Sequence, residues 1–271
     1  MRKICIINQK GGVGKTTTAV NIASGLSREG RKVLLVDVDP QGNIAHSLAT
    51  QKSLNLYHFL SGKCSYVDCV TSLGTNLDLM HSDESLTKIE SDFATSRNPT
   101  QLFSKQFSDV AGYDYLIFDC APSLGLLNQN VMLFCEEAII PVTTHYLPMT
   151  GLSGILEAIQ DINGHFGHNL KVTHIVPTLH DGRNKTNKNM LAKLEEDYPE
   201  ITTHPIRVNA KLAEAPASGK SIFAYDKRSR GAKDYGDLVK TLIKSEKPKS
   251  KPLEPISMRV QRMMAHVELE D

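Results

Sequence analysis

The segment QKGGVGKTT, from Gln9 to Thr17, is a glycine-rich loop with a structured segment on each side. The run Lys3–Ile7 before it is apolar and β-branched, as a strand would be. The segment Thr17–Arg28 after it has apolar residues at helical spacing. A glycine-rich turn between a strand and a helix is the setting of a phosphate-binding loop, whose usual form is GxxxxGK followed by Ser or Thr. The usual form is incomplete here, because Gln9 stands where its first glycine would be.

The residues of this loop each suit one part of phosphate binding. The glycines let several backbone N–H groups point at an anion, and a helix beginning near Lys15 adds the positive end of its dipole. We expect Lys15 to neutralise the terminal phosphates and the Thr16 hydroxyl to bind Mg²⁺. Lys10 is a second lysine that the usual motif does not explain. The predicted nucleotide-contacting residues of the loop are Lys10, Gly11, Gly12, Val13, Gly14, Lys15, Thr16 and Thr17.

Strand-like runs alternate with helical segments along the rest of the chain. The further predicted strands are Lys32–Val36, Leu77–Met80, Tyr115–Phe118, Ala138–Val142 and Lys171–Val176. Further helices are predicted at Pro99–Val110 and Met149–Phe166. Strands that alternate with helices need crossover connections. The predicted fold is therefore α/β, a single P-loop NTPase domain with a mainly parallel central sheet flanked by helices on both faces.

Acidic residues follow two of the predicted strands. Asp119 comes directly after Tyr115–Phe118, where a carboxylate of the Mg²⁺ site is expected. Asp37 and Asp39 follow Lys32–Val36, and from there a carboxylate can orient the attacking water. We favour Asp39 for this role, although the spacing also admits Asp37. Ligands of open α/β sheets lie beyond the carboxyl ends of the strands, so the metal site is predicted to contain Thr16, Asp39 and Asp119.

Composition sets the class of protein. Of the 271 residues 40% are hydrophobic and 23% charged, which is typical of a chain that buries a sizeable core. The apolar runs have the length of strands rather than of membrane spans. The N-terminal residues MRKICIINQ lack the pattern of a signal peptide, and the five cysteines lack metal-binding spacing and dense pairing. These observations predict a reducing, cytoplasmic location.

Charge is unevenly distributed, although the formal net charge is only +1. Between Pro205 and Lys251 twelve Lys or Arg residues stand against five Asp or Glu. Such a stretch suits a polyanion-binding face, and equally a solvated surface with a basic tail. From about Ser245 the sequence EKPKSKPLEP is typical of a linker. The predicted organisation is an ATPase domain at residues 1–245 and a linker with a short amphipathic tail at residues 246–271.

Four motifs together resemble one family. QKGGVGKTTT, LLVDVDPQGN and YLIFDCAPSLG are similar to the deviant Walker A, A′ and Walker B motifs of the ParA/Soj class of ATPases, in the ParA/MinD superfamily. The late segment IRVNAKLAEAPASGKSIFAYDKRSRGAKDY resembles the same class. The resemblance extends from Arg2 to Ile243 and is weakest between Gln51 and Phe107.

The resemblance implies an ATP-sandwiched homodimer in which Lys10 contacts the nucleotide of the partner subunit, while Lys15 serves its own. It implies ATP and Mg²⁺ as cofactors, Lys10, Lys15 and Asp39 as catalytic residues, and adenine contacts within Ile206–Asn209, including Arg207 and Asn209. It also implies non-specific DNA binding and release when a ParB-like or cargo-adaptor protein stimulates hydrolysis, which would place the protein on the nucleoid. The expected DNA-contacting residues are Arg207, Lys211, Lys220, Lys227, Arg228, Arg230 and Lys233.

Two relatives of this ATPase core supply alternatives. A MinD-like membrane regulator needs a C-terminal amphipathic helix, and helical spacing is found at Ile256, Val260, Met263, Met264 and Val267. The acidic end of that tail disfavours an anionic membrane, so membrane binding is not expected. A nitrogenase-reductase-like electron carrier would use Cys120 and Cys135, which we interpret instead as core residues. Ser123 is not in a GxSxG nucleophile motif.

Overall fold

A seven-stranded sheet forms the centre of the computed structural model, which describes residues 1–50, 52–94, 98–145 and 149–246. The strands are β1 (Arg2–Ile6), β2 (Val33–Asp37), β3 (Val70–Gly74), β4 (Leu77–Met80), β5 (Tyr115–Asp119), β6 (Glu137–Thr143) and β7 (Lys171–Thr178). Their order across the sheet is β3-β4-β2-β5-β1-β6-β7, and every neighbouring pair is parallel except β3 with β4. The predicted mainly parallel sheet is confirmed. The antiparallel edge strand β3 was not predicted.

Helices connect the strands and cover the sheet. Within the described residues the α-helices are α1 (Lys15–Arg28), α2 (Asn43–Ser47), α3 (Leu56–Leu60), α4 (Tyr66–Cys69), α5 (Lys88–Ala94), α6 (Leu102–Gln106), α7 (Leu126–Phe134), α8 (Met149–Phe166), α9 (Lys185–Asp197), α10 (Ala210–Glu214), α11 (Ile222–Tyr225) and α12 (Arg230–Lys244). The six strands other than β3 and the long helices α1 and α8 lie where the sequence predicted them, to within two residues at each end.

Side chains alternate along the strands and so fill two apolar layers. Leu34, Val36 and Phe118 belong to a core that also contains residues of α3, α6, α7 and α8. Leu35 and Ile117 alternate with them and are fully buried. They face the side of the sheet where α1 packs against β1, β2 and β5. The inner strands are continuous apolar runs in the sequence because both of their faces are covered.

The predicted helix Pro99–Val110 is wrong in its extent. Only α6 is α-helical there, between short 3₁₀ turns at Pro99–Gln101 and Phe107–Asp109. A contact from α7 binds the start of α6: Asn130 Oδ1 accepts hydrogen bonds from the N–H groups of Leu102 (2.9 Å) and Phe103 (3.4 Å). Asn130 Nδ2 also donates to the carbonyl oxygen of Pro99 at 2.9 Å. A distant side chain therefore sets the start of α6.

Two further features concern the cysteines and the end of the chain. Cys64 and Cys69 form a disulfide between the α3–α4 connection and the end of α4, whereas the sequence predicted cysteines in a reducing environment. The described chain divides into two units, residues 1–240 and the segment from Thr241 onward. The boundary near residue 245 stays a prediction. The amphipathic stripe from Ile256 to Val267 lies outside the described residues.

Candidate nucleotide-binding site

The glycine-rich loop lies between the end of β1 and the start of α1. Gly14 is the N-cap of α1 with φ 86° and ψ 29°, a left-handed conformation that side chains disfavour. Val13 is buried, and its carbonyl oxygen accepts a hydrogen bond from Thr178 Oγ1 at 2.8 Å. Gly11 and Gly12 are exposed. One side of the loop is therefore anchored to β7, while the other side is open to a ligand.

The two lysines of the loop lie in different environments. Lys15 is 8% exposed, and its ammonium group donates a hydrogen bond to the carbonyl oxygen of Lys10 at 3.1 Å. Burial lowers the pKa of Lys15, while the nearby charges of Asp119 and Asp39 favour its ammonium form. The side chain of Lys10 is exposed. Lys15 therefore points into the site, and Lys10 is free to reach outward.

Asn8 holds the start of the loop. This residue is buried, and its Oδ1 accepts a hydrogen bond from the Lys10 N–H at 3.0 Å. Its Nδ2 donates to the carbonyl oxygen of Pro141 on β6 at 2.8 Å. The amide group of Asn8 thus ties Lys10 to the strand beside β1.

Asp119 is the last residue of β5 and is fully enclosed. Neither of its carboxylate oxygens has a hydrogen-bond partner among the described residues. Burial raises the pKa of Asp119 well above its ordinary value, and the charge of Asp37 on the neighbouring strand raises it further. The Thr16 hydroxyl and the Lys15 ammonium oppose this shift. A buried carboxylate without donors, beside a hydroxyl, fits a hard cation, so Thr16 and Asp119 would hold Mg²⁺ or a water bound to it.

The structure separates the two acidic residues that follow β2. Asp37 is fully buried, and its carboxylate accepts hydrogen bonds from the N–H groups of Asp39 and Ile44, each at 3.1 Å. Burial raises the pKa of Asp37 to about 7 despite these bonds. Asp39 is only half-buried, and its Oδ1 accepts one hydrogen bond from the Gln41 N–H at 3.0 Å. Asp37 is therefore occupied with holding the loop, and Asp39 is the carboxylate that a water could reach.

The segment predicted to contact adenine lies at the same edge of the sheet. His180, two residues after β7, forms a parallel bridge with Arg207. The Arg207 guanidinium is bound by Asp234 of α12 through contacts of 2.6 and 3.0 Å. Asn209 caps α10, because its Oδ1 accepts a hydrogen bond from the Lys211 N–H at 2.8 Å. The adenine-contacting role of these residues stays a prediction.

The predicted DNA-contacting residues divide into two groups. Arg207 and Lys211 form ion pairs, with Asp234 at 2.6 Å and Glu214 at 2.7 Å. The remaining cations are exposed and have no ion-pair partner among the residues the structure describes; they are Lys220, Lys227, Arg228, Arg230 and Lys233. We call residues 220–233, which carry these cations, the basic segment. Its side chains are available to an anionic partner.

Helix α1 connects the phosphate loop to the basic segment. It begins at Lys15, and the Oδ1 atom of Asn21, two turns on, accepts a hydrogen bond from the Ile222 N–H at 2.8 Å. Ser24 Oγ and Ser221 Oγ are 2.8 Å apart. The buried hydroxyls of Thr18 and Tyr235 are 3.1 Å apart. Contacts from α1 therefore reach α11, which lies within the basic segment, and α12, whose first turn ends it.

The cysteines considered for an iron–sulfur cluster are core residues. Cys120 and Cys135 are both buried, and burial raises the pKa of each thiol well above its ordinary value. A cluster bridging two subunits needs thiolates at the surface. The positions of these two cysteines therefore oppose the electron-carrier alternative.

The fold and the loop together define a class: an α/β nucleotide-binding domain with a phosphate loop at the carboxyl end of its first strand. A family model for an AAA domain matches residues 1–172. The sporulation initiation inhibitor protein Soj of Bacillus subtilis is 35% identical over 243 residues, which cover 88% of this chain and 96% of that protein. The chromosome partitioning protein ParA of Caulobacter vibrioides is 31% identical over 255 residues, with 91% and 96% covered. Cobyrinic acid a,c-diamide synthase of Mycobacterium smegmatis, solved with an ATP analog and magnesium, has a TM-score of 0.78, is 26% identical, and 90% and 95% of the two chains are covered.

These likenesses extend over nearly the whole chain. The protein belongs to the ParA/Soj family of ATPases, within the ParA/MinD superfamily. The family predicted from the four sequence motifs is confirmed. The roles of the individual residues stay predictions.

Sequence reasoning did not find several residues that shape the site. Asn8, Thr178 and Ser82 bind the backbone of the loops that carry Lys10, Val13 and Asp39. Each is a single small polar residue in or just after a predicted strand. Only their position at the carboxyl ends of strands marked them out, and that position is shared with many residues that have no such role.

Proposed function

We propose that this protein is an ATP-dependent partitioning ATPase, which forms an ATP-sandwich homodimer, binds DNA without sequence preference and is released when a partner stimulates hydrolysis. The observation that carries the proposal is the course of α1, which begins at the phosphate loop and holds the segment with five exposed cations. The name of the ParA relative, a chromosome partitioning protein, supports a role in segregating DNA, and we propose plasmid or chromosomal DNA as the cargo. Positioning of a protein cargo would use the same cycle.

Different residues of this chain have different roles in hydrolysis. Lys15 neutralises charge on the terminal phosphates, and the open side of the loop offers its backbone to them. Thr16 and Asp119 would hold Mg²⁺, which when bound would stabilise the charge that develops in phosphoryl transfer. Asp39 orients the attacking water and accepts a hydrogen bond from it, because it is the carboxylate that stays accessible. Asp37 keeps the loop of Asp39 in shape.

The exposed Lys10 is proposed to act across the dimer. Its side chain is exposed and has no ion-pair partner among the described residues. A positive charge that arrives from the partner subunit makes hydrolysis depend on dimerisation. Mixing tests this point: Asp39→Ala subunits, which keep Lys10, should restore activity to Lys10→Ala subunits. Failure of rescue at every ratio would show that Lys10 acts only within its own subunit.

DNA binding is proposed to depend on ATP, because α1 links the nucleotide site to the basic segment. Fluorescence anisotropy with two unrelated duplexes of equal length tests this. With ATP both duplexes should bind equally well and lose affinity as salt is raised, whereas ADP should support only weak binding. Binding that ignores the nucleotide would contradict the proposal.

The MinD-like alternative predicts a different ligand. None of the helices in the described residues is both long and apolar enough to cross a bilayer. Flotation with anionic vesicles, in parallel with the DNA assay, separates the two functions. ATP-dependent flotation without DNA binding would favour a membrane regulator.

A further inference from the structure

The loop that carries Asp39 stands at the edge of a cleft of about 1010 Å³. Residues 40–43 of the loop and residues 81–84, which follow β4, both line this cleft. One side of the loop therefore faces open space rather than packed core. A loop placed in this way needs specific bonds to hold its shape.

Ser82 supplies such a bond from the neighbouring segment that follows β4. It is 2% exposed, and its Oγ donates a hydrogen bond to the carbonyl oxygen of Asp39 at 2.5 Å. The same carbonyl oxygen accepts a second hydrogen bond from the Gly42 N–H at 3.0 Å. The Asp39 carbonyl is thus fixed both from its own loop and from the neighbouring strand.

Gly42 shows how closely the loop approaches the segment that follows β4. Its φ is +63°, and a Cβ at this position would lie 2.7 Å from the carbonyl oxygen of Ser82. Only a hydrogen atom fits between the two residues. Ser82 therefore contacts the loop through its hydroxyl at Asp39 and through its backbone at Gly42, and its side chain also hydrogen-bonds the carboxyl group of Asp37.

We propose that Ser82 is a positioning residue for the Asp39 carboxylate. The inference depends on the proposed function, in which Asp39 orients the attacking water. Val36 of β2 pairs with Met80 of β4, so Ser82 leaves a strand whose position relative to β2 is set by the sheet. The hydrogen bond from the Ser82 hydroxyl therefore holds the backbone of Asp39 in place relative to the sheet. The Gln41 N–H, which donates to Asp39 Oδ1, then orients the carboxylate.

The test compares steady-state ATP hydrolysis of the wild type, Ser82→Ala and the matched control Thr202→Val. Thr202 Oγ1 also donates to a backbone carbonyl, that of Leu194, at 2.9 Å. For Ser82→Ala we expect kcat to fall roughly tenfold or more, because a displacement of about 1 Å at a catalytic group can cost a hundredfold. ATP affinity should stay within about twofold, since Ser82 does not touch the phosphate loop. Thr202→Val should keep the kcat of the wild type.

A double variant distinguishes positioning from general damage. If Ser82 acts through Asp39, then Asp39→Ala with Ser82→Ala should hydrolyse ATP no more slowly than Asp39→Ala alone. Thermal unfolding reports whether Ser82→Ala is folded, and Ser82→Cys, which keeps the volume but donates weakly, replaces it if not. A kcat within twofold of an active wild type, for Ser82→Ala or for the Ser82→Cys that replaces it, would overturn the inference. A wild type that does not hydrolyse ATP would instead refute the proposed function on which the inference depends.

Discussion

The phosphate-loop edge of the sheet and the basic segment both carry charge, but they hold it in opposite ways. Lys15, Asp37 and Asp119 are buried, and their pKa values are shifted by that burial. The cations of the basic segment are exposed and unpaired within the described chain. In the first region each charge has one position and a named neighbour. In the second region the charges lie on one exposed segment, and no ion pair within the described residues fixes their geometry.

This difference indicates what each region can recognise. Buried charges interact strongly and directionally, because little water screens them. They suit a ligand whose phosphates and metal must be placed to a fraction of an ångström. Exposed Lys and Arg side chains interact weakly and without fixed direction, and their contacts with a polyanion add up while remaining sensitive to salt. Single substitutions should therefore have large effects at the first region and modest ones at the second.

The largest effect is expected for Lys15→Ala. Loss of this buried ammonium should weaken ATP binding by roughly 3 kcal/mol, which is more than a hundredfold. Nucleotide titration of the purified variant measures it, with Lys105→Ala on an exposed helical site as the control. Unchanged ATP affinity would contradict the assignment of the phosphate loop.

Substitution of Asp39 should affect hydrolysis, whereas substitution of Asp37 should affect stability. Asp39→Ala should lower kcat by about a hundredfold while keeping ATP binding and an ATP-dependent dimer, because water positioning alone is lost. Asp37→Ala should instead lower the free energy of unfolding by about 2 kcal/mol, since two backbone N–H groups lose their buried acceptor. Phosphate release measures kcat, light scattering measures the ATP-dependent dimer, and chemical denaturation measures the free energy of unfolding. A stable, inactive Asp37→Ala beside an active Asp39→Ala would reverse the assignment.

The basic segment is tested by charge reversal. The variant Lys227→Glu, Arg228→Glu and Arg230→Glu should lose DNA retention while keeping basal ATP hydrolysis. Each lost phosphate contact should reduce the slope of log affinity against log salt by about 0.9. The control is Lys171→Glu, which reverses one exposed charge outside the segment. Full DNA affinity in the triple variant would place the binding face elsewhere, with Arg207 and Lys211 next to test.

The smallest effect concerns the contact between the two regions. Tyr235→Phe removes the buried hydroxyl beside Thr18 of α1 and should lower the free energy of unfolding by about 1 kcal/mol. Tyr225→Phe removes an exposed hydroxyl that is hydrogen-bonded to Glu214 at 2.8 Å. This variant should change the free energy of unfolding by less than about 0.5 kcal/mol. Denaturant titration compares the two variants. Equal effects would show that the Thr18–Tyr235 contact does not stabilise the packing of α1 on α12.

Much of the fold was predictable because its signals are local. The strand before the glycine loop, the helix after it and the strand ending at Asp119 each depend on the spacing of apolar residues within one segment. Between Gln51 and Phe107 the strand Leu77–Met80 was predicted correctly, but the short helices and β3 were not predicted. There the elements are short, and α6 begins where Asn130 of α7 binds its backbone.

The class of fold, the family and the group of residues that meet at the carboxyl ends of β1, β2 and β5 could be inferred from the sequence alone, because a parallel sheet brings strand ends to one edge. How tightly each of these residues is held depends on tertiary contacts. Asp37 is buried and accepts hydrogen bonds from two backbone N–H groups, whereas the half-buried Asp39 carboxylate accepts one, and Arg207 is bound by Asp234, which lies 27 positions away. The Ser82 contact with Asp39 spans 43 positions. Local periodicity reports which side chains are buried, but the partner of a polar group depends on which distant segment packs beside it.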